Sequence, residues 1–266
     1  MKRLGRVLAV AGSDSSGGAG IQADIKAIMA CGGYAMTAVT AVTVQNTLGV
    51  TAIHAIPDDI VDAQIHSVLG DIGADAIKTG MVGTASSVLK IAQTIRDLAG
   101  DTPLVLDPVM VATSGDRLVD DATISAIREH LLPLAFLVTP NAPEAETLTG
   151  LSVSNVDEQV EAGKALLALG ANAVLVKGGH LTGPVVRDVL VLDKSVHVFE
   201  SERLDTTSTH GTGCTLASAI ATGVANGLAL PDAVESAGRY LHEAIARAPG
   251  FGAGHGPIDH GWVIRS

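Results

Sequence analysis

Short apolar runs alternate with amphipathic stretches along almost the whole chain. Residues 7–11 read as a buried strand, and 21–30 as a helix with Ile21, Ile25, Ile28 and Met29 on one face. Residues 35–44 predict a strand, 59–69 a helix, 75–79 a strand, and 86–98 a helix with Val88, Ile91, Ala92 and Ile95 in register. A strand at 104–106, a helix at 120–131 and a strand at 136–139 follow, the last stopped by Pro140. A helix at 156–169 is closed by Gly170 and leads into a strand at 173–176. Residues 185–192 and 196–199 predict a hairpin, and helices are expected at 214–227 and 233–246. Repeated strand–helix alternation implies an α/β protein: a mostly parallel central sheet with helices on both faces, and antiparallel edge strands near the hairpin. No repeat, low-complexity tract or linker interrupts it, so residues 1–266 are expected to form one domain.

Composition narrows the function. The chain has 266 residues, 47% hydrophobic and 17% charged, enough to bury a large core. Aromatics make up only 2%, which argues against stacking platforms for single-stranded nucleic acid. A net charge of −11 argues against nucleic acid and anionic membrane surfaces as partners. The two cysteines, Cys31 and Cys214, form no C-x-x-C pair, which excludes a disulfide framework and a cysteine zinc site. Cys31 is expected in the core. The basic N-terminus precedes too short an apolar run for a signal peptide, and no apolar segment reaches the roughly 18 residues of a membrane span. A soluble, cytoplasmic enzyme is the expectation.

In an open parallel sheet ligands bind beyond the carboxyl ends of the strands, so polar clusters there carry the interest. Residues 12–20 form a glycine- and serine-rich loop before a helix. Gly18-x-Gly20-x-x-Ala23 loosely matches a dinucleotide fingerprint, which keeps a dinucleotide-dependent oxidoreductase as an alternative. The glycines lie about six residues past the strand, however, and no ribose-binding acid ends the second strand. No G-x-x-x-x-G-K-[ST] occurs. Asp107 and Glu144 follow strands and suit a hydrated Mg²⁺, although each also reads as a turn or helix-capping residue. Lys177 ends another strand. Thr209–Thr215 reads T-H-G-T-G-C-T and opens a helix whose free N–H groups offer an anion cradle. Cys214 in that first turn is expected to have a lowered thiol pKa and to serve as a base. His210 borders the cradle and could orient the loop. His255 and His260 lack the spacing of a helical zinc motif. Two acids, a lysine and an anion cradle at neighbouring strand ends are the parts of Mg-dependent phosphoryl transfer.

Residues 12–21, Gln45-Asn46-Thr47, Lys78-Thr79-Gly80-Met81, Asp107-Pro108-Val109-Met110, Thr139-Pro140-Asn141, Lys177-Gly178-Gly179-His180 and Thr209–Thr215 together resemble the bacterial hydroxymethylpyrimidine/phosphomethylpyrimidine kinases of thiamine biosynthesis, within the ribokinase superfamily. The resemblance implies a three-layer α/β/α ribokinase-like fold, MgATP as phosphate donor with room for a monovalent cation, and a homodimer. It implies phosphorylation of 4-amino-5-hydroxymethyl-2-methylpyrimidine on its alcohol, and then of the monophosphate. By the same resemblance Gly12, Asp24, Gln45 and Met81 line the pyrimidine pocket, and Asn141, Lys177 and Thr212 contact the nucleotide. Asp107 and Glu144 belong to the magnesium region, while Gly211, Gly213, Cys214 and Lys177 carry the catalysis. Ser15 stands where family members often have proline, and Thr207 and Ser208 stand where a basic residue or asparagine is frequent. The nearest alternative is a pyridoxal kinase of the same superfamily.

Overall fold

A computed structural model describes residues 4–112 and 114–265. Its described strands are β1 (Gly5–Asp14), β2 (Gly33–Asn46), β3 (Gly49–Ala55), β4 (Ala76–Thr79), β5 (Leu104–Leu106), β6 (Leu137–Val138), β7 (Val174–Val176), β8 (Val185–Val191) and β9 (Val196–Glu202). They form one sheet in the order β3-β2-β1-β4-β5-β6-β7-β8-β9. Every pairing from β2 to β7 is parallel. The β8–β9 hairpin extends one edge antiparallel, as the sequence predicts. The other edge carries a second antiparallel strand, β3, which the sequence reading lacks.

The helices are α1 (Gly20–Ala30), α2 (Asp58–Asp71), α3 (Ala85–Leu98), α4 (Asp121–Ala126), α5 (Ala142–Thr149), α6 (Val156–Ala168), α7 (Thr212–Ala225), α8 (Leu230–Ala246) and the short α9 (Trp262–Arg265). None is long and apolar enough to cross a membrane. They divide into two layers because successive strand residues point to opposite faces. On β1, Leu8 and Val10 join a core with α2, α3, α5 and α6, whereas Val7 joins an alanine-rich core with α1, α7 and α8. The result is the three-layer α/β/α arrangement. Val88, Ile91, Ala92 and Ile95 of α3 are buried as their spacing predicts. Helix α1 departs from the expected face: Ala23, Asp24, Ala27 and Ile28 are buried, and Met29 is 65% exposed. Small residues at 23 and 27 let α1 pack closely, and the larger apolar side chains flank that contact.

Strand β1 pairs with β2 on one side and with β4 on the other. The chain steps outward from β1 to β2 and β3, then returns to β4 and proceeds the other way. That reversal opens a crevice at the carboxyl ends of β1 and β4.

Candidate active site

A cleft over these strand ends is lined by Gly12, Gln45 and Met81 on the β1–β2 side. Asp107, Asn141, Glu144 and Lys177 line the side of β5–β7, and Gly211, Thr212, Gly213 and Cys214 line it as well. Of the residues predicted for the site, only Asp24 does not open onto this cleft. It is fully buried, because its position on α1 faces α7, and it pairs with the equally buried Lys78 of β4 at 2.8 Å. Ser218 of α7 donates to the same carboxylate oxygen at 2.7 Å. The expectation that Asp24 lines the pyrimidine pocket is therefore corrected: it lies beneath the site as a tether.

At the far end of the cleft, Lys177 Nζ donates to Asp107 Oδ1 at 2.9 Å and lies 3.9 Å from Glu144 Oε2. Thr139 Oγ1 donates to the same Asp107 oxygen at 3.2 Å, which leaves buried Oδ2 without a partner. Glu144 is held by a capping box at the start of α5: its side chain accepts from Asn141 N at 2.7 Å, while Asn141 Oδ1 accepts from Glu144 N at 2.9 Å. The Asn141-x-x-Glu144 spacing was the local signal for this short helix. Burial, reinforced by the Asp107 charge and opposed by Lys177, pushes the Glu144 carboxyl up to about 7. Burial alone would lower the Lys177 ammonium; Asp107 and Glu144 overcome it and hold it charged.

The glycine turn brings the helix α7 terminus to the same place. Gly211 adopts φ +78°, and a Cβ there would lie 1.9 Å from Gly18 O, so a side chain is excluded twice over. A Cβ on Gly213 would sit 3.4 Å from Lys177 Nζ and 3.7 Å from Asp107 Oδ2, so the cradle's backbone adjoins the lysine–acid cluster. His210 does orient the loop: its Nε2 lies 2.8 Å from Asp14 Oδ2. Asp14, not singled out from the sequence, also accepts from the N–H groups of Ser16, Gly18 and Ala19 at 2.8–3.0 Å. Burial acts to raise Asp14, but His210 and these donors outweigh it and hold the carboxyl down at about 2.

Cys214 departs from expectation. Burial pushes its thiol up to about 11; Lys78 acts downward, and Asp24 and Asp107 act upward. The helix terminus does not by itself lower the thiol, because desolvation of the charged form dominates. Cys31 is half-buried rather than wholly in the core, and burial raises its thiol to about 12.

On the β1–β2 side, Gln45 Oε1 accepts from Thr43 Oγ1 at 3.1 Å, and Gln45 Nε2 lies 3.5 Å from His210 Nε2. Ser15 Oγ donates to Gln45 O at 2.8 Å and accepts from Gln45 N at 3.0 Å, so Ser15 pins the loop to β2. Met81 lies against Gly12, where a Cβ would meet its Cε at 2.4 Å. Ser208 is buried. His255 contacts Thr209, and buried His260 lies beside Tyr240. Among the described residues no group of three or more His, Cys, Asp and Glu is placed to hold a metal ion. Two carboxylates, one with an unpartnered oxygen, fit a cation that keeps its waters and arrives on phosphates.

A family model described as phosphomethylpyrimidine kinase matches residues 14–259. The hydroxymethylpyrimidine/phosphomethylpyrimidine kinase of Streptomyces coelicolor is 46% identical over 97% of this chain and 95% of its own length. A thiamine biosynthesis bifunctional protein of Geobacter sulfurreducens is 47% identical over 96% of this chain, which spans 52% of that longer protein. The ADP complex of Bacillus subtilis pyridoxal kinase superposes with a TM-score of 0.91 at 35% identity, covering 99% of this chain and all of the other.

Proposed function

The chain belongs to the phosphomethylpyrimidine kinase family, and from that premise we propose how its cleft carries out the kinase reactions of thiamine biosynthesis. ATP phosphorylates the alcohol of 4-amino-5-hydroxymethyl-2-methylpyrimidine and then the resulting monophosphate. The observation that carries this reading is the meeting of Lys177, Asp107 and the α7 glycine turn at one end of a cleft whose other end presents Gln45. Phosphoryl transfer asks the protein mainly for positioning and for charge stabilisation, and this arrangement supplies both.

Gln45, through its amide, has the donor and acceptor needed to read an aminopyrimidine edge, with Met81 and Gly12 shaping the apolar wall. The alcohol oxygen attacks the terminal phosphorus of ATP, the bond to the ADP oxygen breaks, and the alcohol proton passes to Cys214 as its thiolate, which forms by loss of the raised thiol's own proton to solvent before the transfer. Backbone N–H groups of Gly211–Gly213 and the Lys177 ammonium face the charge that develops on the transferred group. Asn141 and Thr212 contact the nucleotide. Asp107 and Glu144 would hold Mg²⁺, which supplies neutralisation of the phosphate charge. The second step needs no base, because its nucleophile is already a phosphate oxygen. We place the enzyme in the cytoplasm as a homodimer, a reading supported by exposed Val42, Val44, Leu48 and Ile53 along the β2–β3 edge.

The likeness to a pyridoxal kinase favours vitamin B6 phosphorylation as a second reading. Higher identity to the pyrimidine kinase, 46% against 35%, ranks it below the first. Incubation with MgATP and either alcohol, followed by mass analysis, tests both. The pyrimidine is expected to appear as monophosphate and then diphosphate; phosphorylation of pyridoxal alone would overturn the assignment.

A further inference from the structure

The loop after α8 carries four glycines among residues 250–256 and two histidine-containing motifs that the kinase chemistry does not use. Its contacts lie far away in sequence. His255 N donates to Thr47 O at 2.8 Å and Gly254 N to Thr47 Oγ1 at 3.4 Å, both at the turn between β2 and β3. One residue on, Gly256 O accepts from His210 N at 3.1 Å, and His255 Nδ1 lies 3.3 Å from Thr209 Oγ1. The segment is anchored behind by Asp259 N, which donates to Ala244 O of α8 at 2.9 Å, and by buried Ile258 and His260.

These contacts join two parts of the cleft that no short stretch of chain connects. Thr47 is two residues beyond Gln45, and His210 is four residues before Cys214. The approach is too close for side chains. A Cβ on Gly254 would lie 2.1 Å from Thr47 O, and one on Gly252 would lie 2.3–2.8 Å from the Thr47 side chain. Gly250 at the head of the loop has φ +70° but no neighbour within 4 Å, so the close fit does not reach the head of the loop.

We propose that residues 252–256 are a positioning strap that fixes the distance between the acceptor-reading end of β2 and the anion cradle of α7. Gly252 and Gly254 are its spacing residues. The strap touches no reacting atom. It acts through Thr47 and His210, holding the bound alcohol in line with the phosphate, where a displacement near 1 Å costs about a hundredfold in rate. The inference rests on the kinase reading for its assay, and wild-type turnover of the pyrimidine establishes that reading independently of the variants.

The test compares Gly254→Ala, Gly252→Ala, Gly250→Ala and the double variant Thr47→Gly/Gly252→Ala. Gly254→Ala is expected to lower kcat/KM for the pyrimidine by about 10- to 100-fold while the KM for ATP moves less than about twofold. Gly252→Ala should show the same split, and Thr47→Gly in the same chain should restore most of the loss by removing the atoms it strikes. Gly250→Ala carries the positive-φ strain that Gly252→Ala also has, φ +70° against +83°, without the contact, so it should lower the Tm but leave both KM values unchanged. Melting curves confirm that each variant is folded at the assay temperature. Wild-type kinetics in folded Gly254→Ala, equal losses toward both substrates, or no rescue by Thr47→Gly would each overturn the proposal. Absence of pyrimidine turnover in the wild type would instead sink the kinase reading.

Discussion

Two lysine–aspartate pairs lie at the site, one sealed beneath the cleft and one on its wall. Lys78 and Asp24 touch at 2.8 Å with both side chains wholly excluded from solvent. Lys177 and Asp107 touch at 2.9 Å, but Lys177 keeps 12% of its side chain accessible and both residues line the cleft. The sealed pair joins β4, α1 and, through Ser218, α7. Among the described residues each pair leaves one aspartate oxygen, Asp24 Oδ2 or Asp107 Oδ2, without a hydrogen-bond partner, but only the open pair has a further acid, Glu144, beside it. Desolvation is costly for both, so neither is explained by stability alone. Closed on every side, such a pair specifies how elements pack. Opened on one side, the same chemistry offers a cation and acids to a phosphate-bearing ligand.

The largest effect should separate the pairs by stability. Lys78→Met leaves Asp24 buried without its counter-charge and is expected to cost about 3–5 kcal/mol, read as a lower midpoint in urea. Asp24→Leu together with Lys78→Met should recover most of that loss, because no lone charge remains. A stable Lys78→Met protein would show that the sealed pair tethers nothing. Lys177→Ala should do the reverse. We expect kcat to fall by about 10²–10³ with a smaller change in pyrimidine KM, the pattern of a group that acts on the transferring phosphate. If it unfolds the protein as readily as Lys78→Met does, the distinction between the pairs collapses.

A pH series sharpens the open side. Glu144 has its carboxyl raised from its ordinary value of 4.5 to about 7. The folded state thus binds this proton more tightly than the unfolded state. Its contribution to stability is fully present below pH 4.5 and is lost as pH rises toward 7. Glu144→Gln cannot lose a proton, so its Tm should exceed that of the wild type at pH 8 and approach it near pH 4.5. A Tm difference that stays the same from pH 4.5 to pH 8 would mean that Lys177 keeps Glu144 ionised throughout.

Much of this site was readable from sequence for a physical reason. Asp107, Asn141–Glu144 and Lys177 all follow apolar strand runs, and the carboxyl ends of parallel strands converge on one edge; Gly211–Cys214 was legible by its own glycine turn before a helix. What failed depended on directions that a linear pattern does not carry. Asp24 follows the glycine loop and so resembles a pocket residue, yet helix α1 turns it inward with Ala23, Ala27 and Ile28. Its spacing of three and four residues to Ala27 and Ile28 was the available signal. Strand β3 is half-buried at its start and exposed from Thr51 onward, so burial imposed no alternation on it. The Cys214 thiol was misjudged because the helix terminus is visible in sequence and the burial that opposes it is not.

The smallest effect tests whether the sealed pair is silent toward the cleft. Ser218 follows Cys214 by four residues on α7, so the two share a helix face, and Ser218 holds Asp24. Lys78 lowers the Cys214 thiol and Asp24 raises it, with Lys78 the stronger influence. Removing both in Asp24→Leu/Lys78→Met should therefore move the thiol further up from about 11, in the direction that disfavours the thiolate. Alkylation of Cys214 followed against pH in a Cys31→Ser background reads this directly. At a fixed pH below 11, the double variant should react more slowly than its parent. First-step phosphorylation, which needs a proton acceptor, should slow with it, while phosphorylation of the monophosphate should not. Unchanged alkylation and unchanged first-step rates would make the sealed pair a tether only. A parallel loss in both steps would point instead to a displaced α7, with the electrostatic link rejected.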